Sequence, residues 1–573
     1  LEIIYKRMEE HGEKPMAAAV NGTKEIGLAV LATTLSLVAV FLPVGFMGGI
    51  VGRFMGSFGL TMSFSIMVSL LVSFTLTPMM CSKWLRGVLD KHKPASPYRV
   101  DEPGAHAPVG HGHGESKGIY AAIEGTYVKI LRWSMGHRWV IVLSCVAALF
   151  SIPVLAGRAN ANFLPEEDES QFQATVRAPE GTSLDETRLL VTRMAAEIEQ
   201  MPGVLYAITT IGDDPQKTPN LAGVYVKLKP ANQRSLSQTE IIDKARAELI
   251  PKYGKNYRMS VGPVNAFSGG GANFPVMYQI TGPDLTKISG YAEALLKKLK
   301  TLPGVVDADS SLILGKPELR AHIDRKKAAD LGVNVGDIAG SLRLLVGGYE
   351  VTNYNEKGEQ YEVHVRSIPS YRSDVKGLER LTVPSQKLGP VTLENVVSFS
   401  EGTGPAKIDR FNRQKQVMVM CNLQKGFSER AIVAELDAAA KELNMEPGYA
   451  AGATGRSREL GRAAKNFGLA FLLSFIFMYL VLAAQFESWL HPITILLSLP
   501  LTIPFAIISV IIFRQSLNIF SMLGILVLFG VVKKNSILQI DHTLQLRAKG
   551  MERLDAILQA NKDRLRPILM TTF

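Results

Sequence analysis

The chain has 573 residues, a net charge of +11 and 47% hydrophobic content. That length calls for several domains. The cysteines, Cys81, Cys145 and Cys421, are odd in number and widely spaced with no CxxC pair, which points to neither a disulfide framework nor a zinc site.

In chain order, a cationic opening stretch (Lys6, Arg7, Lys14, Lys24) leads into IGLAVLATTLSLVAVFLPVGF, Ile26 to Phe46, and a second apolar run covers Leu60 to Met79. A basic segment with Lys83, Arg86, Lys91, Lys93 and Arg99 then opens a linker rich in Pro, Gly and His that reads as flexible. Its His106, His111 and His113 lack an ordered frame, so a mobile linker is preferred to a metal site. A third run, Trp139 to Gly157, precedes a long stretch of ordinary soluble composition. Beyond it come Phe467 to Ala484, Ile493 to Phe513, and a run from Leu517 towards Ile540. These runs approach the ~20 residues a bilayer core requires, and a buried core helix rarely stays apolar on every side for so long. The expected class is a polytopic α-helical membrane protein. Lys and Arg crowd residues 1–24, 81–100 and 541–566, whereas the loops near 47–58 and 514 hold only Arg53 and Arg514. This bias places the three rich segments in the cytoplasm and the soluble region outside. Topology thus accounts for the positive charge, and no nucleic-acid partner is expected.

From Asn162 the soluble region alternates strand and helix patterns. SQFQATVRAP, VLYAITTIG, GVYVKLKP and YRMSVGPV read as strands. The amphipathic DETRLLVTRMAAEIEQMPG, with Asp185 as its N-cap and Gly203 as its stop, and QTEIIDKARAELIPKYG read as helices. The order is βαββαβ, the split arrangement of ferredoxin-like folds. A second unit opens with PVMYQITG, repeats the motif AAEIEQMPGV as LLKKLKTLPGV, continues through ELRAHIDR and closes with QVMVMCNLQ and SERAIVAELDAAAKEL. Residues 336–402 between these parts read as an inserted subdomain. Two related units side by side offer a ligand cleft or a duplicated structural module, and both readings stay open. The run LPEEDES, Leu164 to Ser170, reads as a domain-entrance cap in preference to a cation site. AFSGGGANF reads as a flexible joint, flanked by Phe267 and Phe274, which are core residues or apolar ligand contacts. No catalytic motif stands out, and neither a cofactor nor a metal site is expected.

The last span raises a question. LFGVVKKNSILQID, Leu528 to Asp541, carries Lys533 and Lys534 in an apolar setting. A bilayer-centre lysine costs roughly 2.5–3.5 kcal/mol and is usually functional. Stopping the span at Val532 leaves it short of the ~20 residues it needs, while continuing to Ile540 takes the lysines inside. Spacing alone leaves the two readings level.

Other stretches carry a resemblance. YLVLAAQFESWLHPITILLSLPLTIPFAI, GVVKKNSILQIDHT, RLRPILMTTF, FLPEEDESQF, LPVGFMGGIVGRF and SFTLTPMMCSKWL resemble the resistance–nodulation–division (RND) transporters. The similarity covers essentially the whole chain and is nearest to the hydrophobe/amphiphile efflux branch, the multidrug pumps of Gram-negative inner membranes. The resemblance implies a proton antiporter rather than an enzyme, assembled as a homotrimer. It would work with a periplasmic adaptor protein and an outer-membrane channel to export amphiphilic compounds. Export of a lipid or metal ion, or ligand sensing without transport, are the alternatives.

The resemblance also implies the parts. Residues 1–24 would follow membrane helix four, 25–80 hold helices five and six, 81–136 form a cytoplasmic linker and 137–158 form helix seven. The periplasmic α+β region would comprise a first porter subdomain at 159–269 and a second at 270–335 and 403–458, with a docking subdomain at 336–402. Residues 459–541 would hold helices eight to ten, and 542–573 a cytoplasmic segment and the start of helix eleven. The chain is thus expected to be an internal piece of a longer protein. The family's relay lysine, followed by Asn, matches Lys534 and Asn535, and its arginine and threonine match Arg564 and Thr571. Their partner acids would lie on helix four. Lys533 has no counterpart and is expected on another helix face, since successive residues lie about 100° apart.

Overall fold

The computed structural model of the chain describes residues 2–10, 12–85, 119–165, 167–264, 274–313 and 315–572. Its first helices are α1 (Glu2–Glu10), α2 (Pro15–Gly45), α3 (Gly49–Phe74), α4 (Leu76–Trp84), α5 (Ile119–Gly136) and α6 (Arg138–Arg158). Pro15 opens α2 in its first turn, where a missing N–H goes unnoticed, and small residues including Ala18, Gly22, Ala32 and Ser36 give it a buried face. By contrast α6 has no buried residue, and Trp139 and Phe150 are 86% and 75% exposed, as suits a helix facing lipid.

The first α/β unit runs β1 (Gln171–Arg177), α7 (Leu184–Glu199), β2 (Val204–Ile211), β3 (Leu221–Leu228), α8 (Gln238–Tyr253) and β4 (Arg258–Pro263). Its antiparallel sheet has the order β2-β3-β1-β4. Alternation along β1 buries Phe172, Ala174 and Val176 beneath Val191, Met194 and Ile198 of α7. The α7 cap differs from expectation: Ser183 Oγ accepts from Glu186 N at 3.2 Å, so the helix begins before Asp185, which sits in its first turn. Ser237 and Glu240 form a full capping box on α8.

The second unit opens with β5 (Val276–Gly282), α9 (Leu285–Thr301) and β6 (Val305–Ser310). An inserted unit follows: β7 (Lys316–Ile323), α10 (Arg325–Asp330), α11 (Val335–Leu342), β8 (Tyr349–Glu356), β9 (Glu359–Val365), α12 (Val375–Glu379), β10 (Thr382–Ser385), β11 (Gly389–Thr392) and β12 (Val397–Gly404). The second unit then closes with β13 (Asp409–Phe411), β14 (Gln414–Leu423), α13 (Glu429–Glu442) and β15 (Ala450–Ala453). This corrects one boundary. ELRAHI, expected in the second unit, pairs with β12 from Val397↔Ile323 to Gly404↔Lys316, and Ala328 and Val333 enter the inserted unit's core. The insertion therefore starts near Lys316, because its outgoing and returning strands share one ladder. The hairpin β8–β9 is exposed along its length.

The chain ends with α14 (Gly455–Phe486), α15 (Leu490–Leu496), α16 (Thr502–Ile512), α17 (Ile519–Ala548) and α18 (Arg553–Thr572). Among the described residues, 5 helices are long and apolar enough to cross a membrane. The expected span Ile493 to Phe513 is instead α15 and α16, interrupted around Pro500, where proline removes a donor and crowds the preceding turn. Soluble and membrane parts are laced together: Ala161 bridges Leu517, and Glu429 N donates to Asn162 Oδ1 at 3.0 Å.

The acidic run serves this packing. Asp168 takes the guanidinium of Arg234, whose side chain is 2% exposed, and accepts from Gln238 N at 3.0 Å at the start of α8. The Arg234 hydrogen bond, reinforced by backbone donors, holds the Asp168 carboxyl at about 2, below its ordinary 3.8. A depressed carboxyl stabilises the fold fully above its unfolded value, and that contribution is lost as pH falls from near 4 through about 2. Arg234→Ala is expected to cost roughly 2–4 kcal/mol at neutral pH, read as a lowered unfolding midpoint, because it strands a partly buried carboxylate. The deficit should shrink below pH 3.

Candidate functional site

Both lysines lie in the middle of α17, not at its end. Asn518 caps the helix by accepting from Phe520 N and Ser521 N, each at 3.0 Å, and the helix runs on to Ala548. Lys533 is fully buried, and its Nζ donates to the Ser36 carbonyl of α2 at 2.5 Å. The helices come this close because of Gly530, one turn earlier: a Cβ there would lie 2.6 Å from the Leu37 side chain. Lys534, one residue and about 100° on, points to the exposed face. The two lysines thus differ in kind. Among the described residues Lys533 has no carboxylate in salt-bridge range, so Lys533→Met, which removes a buried amino group and keeps its volume, is expected to leave thermal stability within about 1 kcal/mol or raise it. A fall in the unfolding midpoint of the detergent-solubilised chain equivalent to more than about 2 kcal/mol would contradict this.

Among the described residues no hydrogen bond or ion pair links Lys534, Asn535 and Arg564 to one another. Among the described residues Lys534 makes no hydrogen bond or ion pair, Asn535 is half-buried, and the Thr571 side chain lies outside the described residues. Arg564 is half-buried on α18, within electrostatic range of Asp541 on α17, and among the described residues its Nε has no hydrogen-bond partner. A second polar cluster at that end was not foreseen. His542 meets Asp563 at 3.1 Å, Lys562 meets Glu124 of α5 at 3.3 Å, and Tyr127 donates to Asn561 at 3.2 Å. These contacts dock α18 onto the end of α17 and α5 onto α18.

At the other end of the membrane block, the two α/β units enclose cavities along their seam. One, of about 260 Å³, is lined by Ile242, Arg246, Val264, Asn422 and Phe427, with Phe520 of α17 at its membrane side. Farther from the membrane helices a second, of about 700 Å³, is lined by Tyr257, Arg258, Leu296, Asp309 and Leu312. Phe267 lies outside the described residues, as do His106, His111 and His113. Phe274 is half-buried, and its neighbour Pro275, not Phe274, lines the first cavity. Among the described residues no group of three or more His, Cys, Asp or Glu is arranged to hold a metal ion.

The model of the AcrB/AcrD/AcrF family matches residues 1–573. This chain belongs to the AcrB/AcrD/AcrF family. The resemblance to RND efflux permeases is thereby borne out. Among curated relatives, "Multidrug resistance protein MdtC" of Photorhabdus laumondii is 29% identical over 577 residues, covering 100% of this chain and 53% of its own length. The MdtC proteins of Shigella flexneri and Escherichia coli O139:H28 are each 30% identical, with 54% of their length covered. The chain spans about half the length of the curated relatives it matches. Within this AcrB-family chain, sequence reasoning missed Arg246, Asp307 and Asn422. The available signal was VVDADS, a strand whose alternate residues are acidic, a pattern found on edge strands rather than central ones.

Proposed function

We propose that this chain forms part of an inner-membrane RND permease that exports amphiphilic compounds in exchange for protons. The observation that carries the reading is the whole-chain match to a family whose similar members are named multidrug resistance proteins. The cavities between the α/β units support it, since their linings mix apolar side chains such as Ile242, Val264, Phe427 and Leu296 with charged ones such as Arg246 and Asp309, offering an amphiphile both kinds of contact. In this proposal the units of β1–β4 and of β5–β6 with β13–β15 are the porter subdomains, and the inserted unit is the docking subdomain. A homotrimer would meet a periplasmic adaptor and an outer-membrane channel.

The coupling proposal uses Lys534. An ammonium on the exposed face of a membrane helix needs a carboxylate partner. In a protein of the relatives' full length, acids from beyond this chain would meet it. When such an acid takes a proton the pairing weakens, and an element with two positions shifts between them. Arg564, Asn535 and Thr571 would line the same proton route.

The test is resistance and accumulation across a panel of amphiphiles, in cells with and without the full-length gene that contains this chain. Lower accumulation of several unrelated compounds is expected. Equal accumulation of every compound would favour a ligand-binding sensor over a pump.

A further inference from the structure

The seam between the two α/β units joins two sheet edges that do not pair. β4 is the last strand of its sheet, and β6 borders the other, held by β14 alone. Such edges offer unpaired backbone groups. Here side chains engage them. The Asp307 carboxylate of β6 is fully buried and accepts from Val261 N of β4 at 3.1 Å, Arg246 Nε of α8 at 3.2 Å and Asn422 Nδ2 of β14 at 2.9 Å. One rung along, Arg258 Nε donates to Asp309 at 2.9 Å.

Two local features put Asp307 there. In the β6–β14 register Met420 faces Asp309 and Asn422 faces Val306, so Asp307 and Ala308 together oppose Cys421. At this bulge Asp307 takes φ +52°, a left-handed conformation that costs a non-glycine residue about 1 kcal/mol or more. Bulges re-aim side chains, and this one turns a carboxylate out of its own sheet towards the neighbouring edge. Opposite, Gly262 makes room: a Cβ there would lie 3.1 Å from the Asn422 amide nitrogen.

The position along the seam gives the cluster a role. Arg246 and Asn422 line the cavity on the membrane side, whereas Asp307, Arg258 and Asp309 line the distal one. The Arg246–Asp307 pair therefore stands between two cavities at opposite ends of one seam. We propose that Asp307, Arg246 and Asn422 form a polar gate, a side-chain clasp that must part for an amphiphile to pass from one cavity to the other. A backbone ladder would weld the sheets, but a few charge-assisted hydrogen bonds can exchange partners. The class of ligand follows from what each partner keeps when the clasp parts. Arg246 retains Asp243 at 2.6 Å and the Val261 carbonyl at 2.5 Å, while Asp307 is left as a buried carboxylate without its cation. A cationic amphiphile compensates that loss; an anionic one does not. The direction of passage rests on the export reading, whereas closure of the seam by Asp307 does not.

The test is a distance measurement on the full chain in detergent. Spin labels go on Ala247→Cys in α8 and Lys297→Cys in α9, both exposed, with Cys81, Cys145 and Cys421 replaced by alanine. Asp307→Ala is expected to raise the longer-distance population at least about threefold. Arg246→Gln, which leaves the bulge intact, should move it the same way, and the cationic dye rhodamine 6G should shift the parent but not Asp307→Ala. Unchanged distributions in both variants would overturn the clasp. A parent that ignores rhodamine 6G while the variants open would overturn the cationic ligand class. Neither readout involves transport, so failure of the export reading shows separately, as equal drug accumulation with the clasp intact.

Discussion

Lys534→Met, made in a protein of the relatives' full length, is expected to lower proton-coupled export at least about a hundredfold while assembly is unchanged. The expectation follows from where the side chain lies. Lys534 occupies the exposed face of a helix long and apolar enough to span a membrane, and no partner holds it among the described residues. Left charged in lipid it costs roughly 2.5–3.5 kcal/mol, so a carboxylate met in the assembled protein would gain most of that back as pairing energy. Protonating the carboxylate removes the gain, and a change of about 3 kcal/mol moves a two-state equilibrium by more than a hundredfold. Methionine keeps the volume and removes the charge, so packing survives while the switch does not. Lys533→Met is the control within the same helix. Its amino group already donates to the Ser36 carbonyl in a packed interface, and transport should stay within about threefold of the parent. Dye export by both variants in everted vesicles decides the matter. An inactive Lys533→Met beside a fully active Lys534→Met would show that the buried lysine carries the proton instead.

The second large effect concerns the seam. Tying β4 to β6 with a short, reducible thiol cross-linker between Arg258→Cys and Asp309→Cys is expected to stop export, with recovery on reduction. Those side chains already meet across the two units, so the link holds a geometry the chain adopts and does not distort it. What it removes is separation. If ligands move between the cavities only when the units part, a covalent tie on the seam blocks every turnover, whatever the compound. The doubly substituted protein without the linker controls for loss of the ion pair, which is partly exposed and contributes little on its own. Undiminished export with the link fully formed would take the seam out of the mechanism.

The sequence carried the outline of this fold because its signals are local. The apolar runs and the strand character of SQFQATVRAP each depend on a few neighbouring residues, although the α7 cap expected at Asp185 lies at Ser183. One misplaced element depended on distant residues, the other on a proline inside its own run. ELRAHI has strand character wherever it pairs, and only its ladder with β12, some eighty residues later, assigns it to the inserted unit. The apolar run around Pro500 was long enough for a span, but proline decided that it became two short helices.

The candidate site divides the same way. The KKN motif drew attention to α17, yet which lysine is buried depends on Gly530 packing against Leu37, a contact between segments far apart in the chain. Asp307 was still harder to see. Its role comes from a bulge in β6 and an unpaired edge in another unit, neither of which a short stretch of sequence displays.

Reconstitution in liposomes tests the proton-coupled export most directly. A protein of the relatives' full length that contains this chain is placed in vesicles with an imposed pH gradient, and movement of a fluorescent cationic amphiphile is followed. The account predicts transport that depends on the gradient, collapses with an uncoupler and is absent with Lys534→Met. Transport of equal rate without a gradient, or in the Lys534→Met protein, would contradict it.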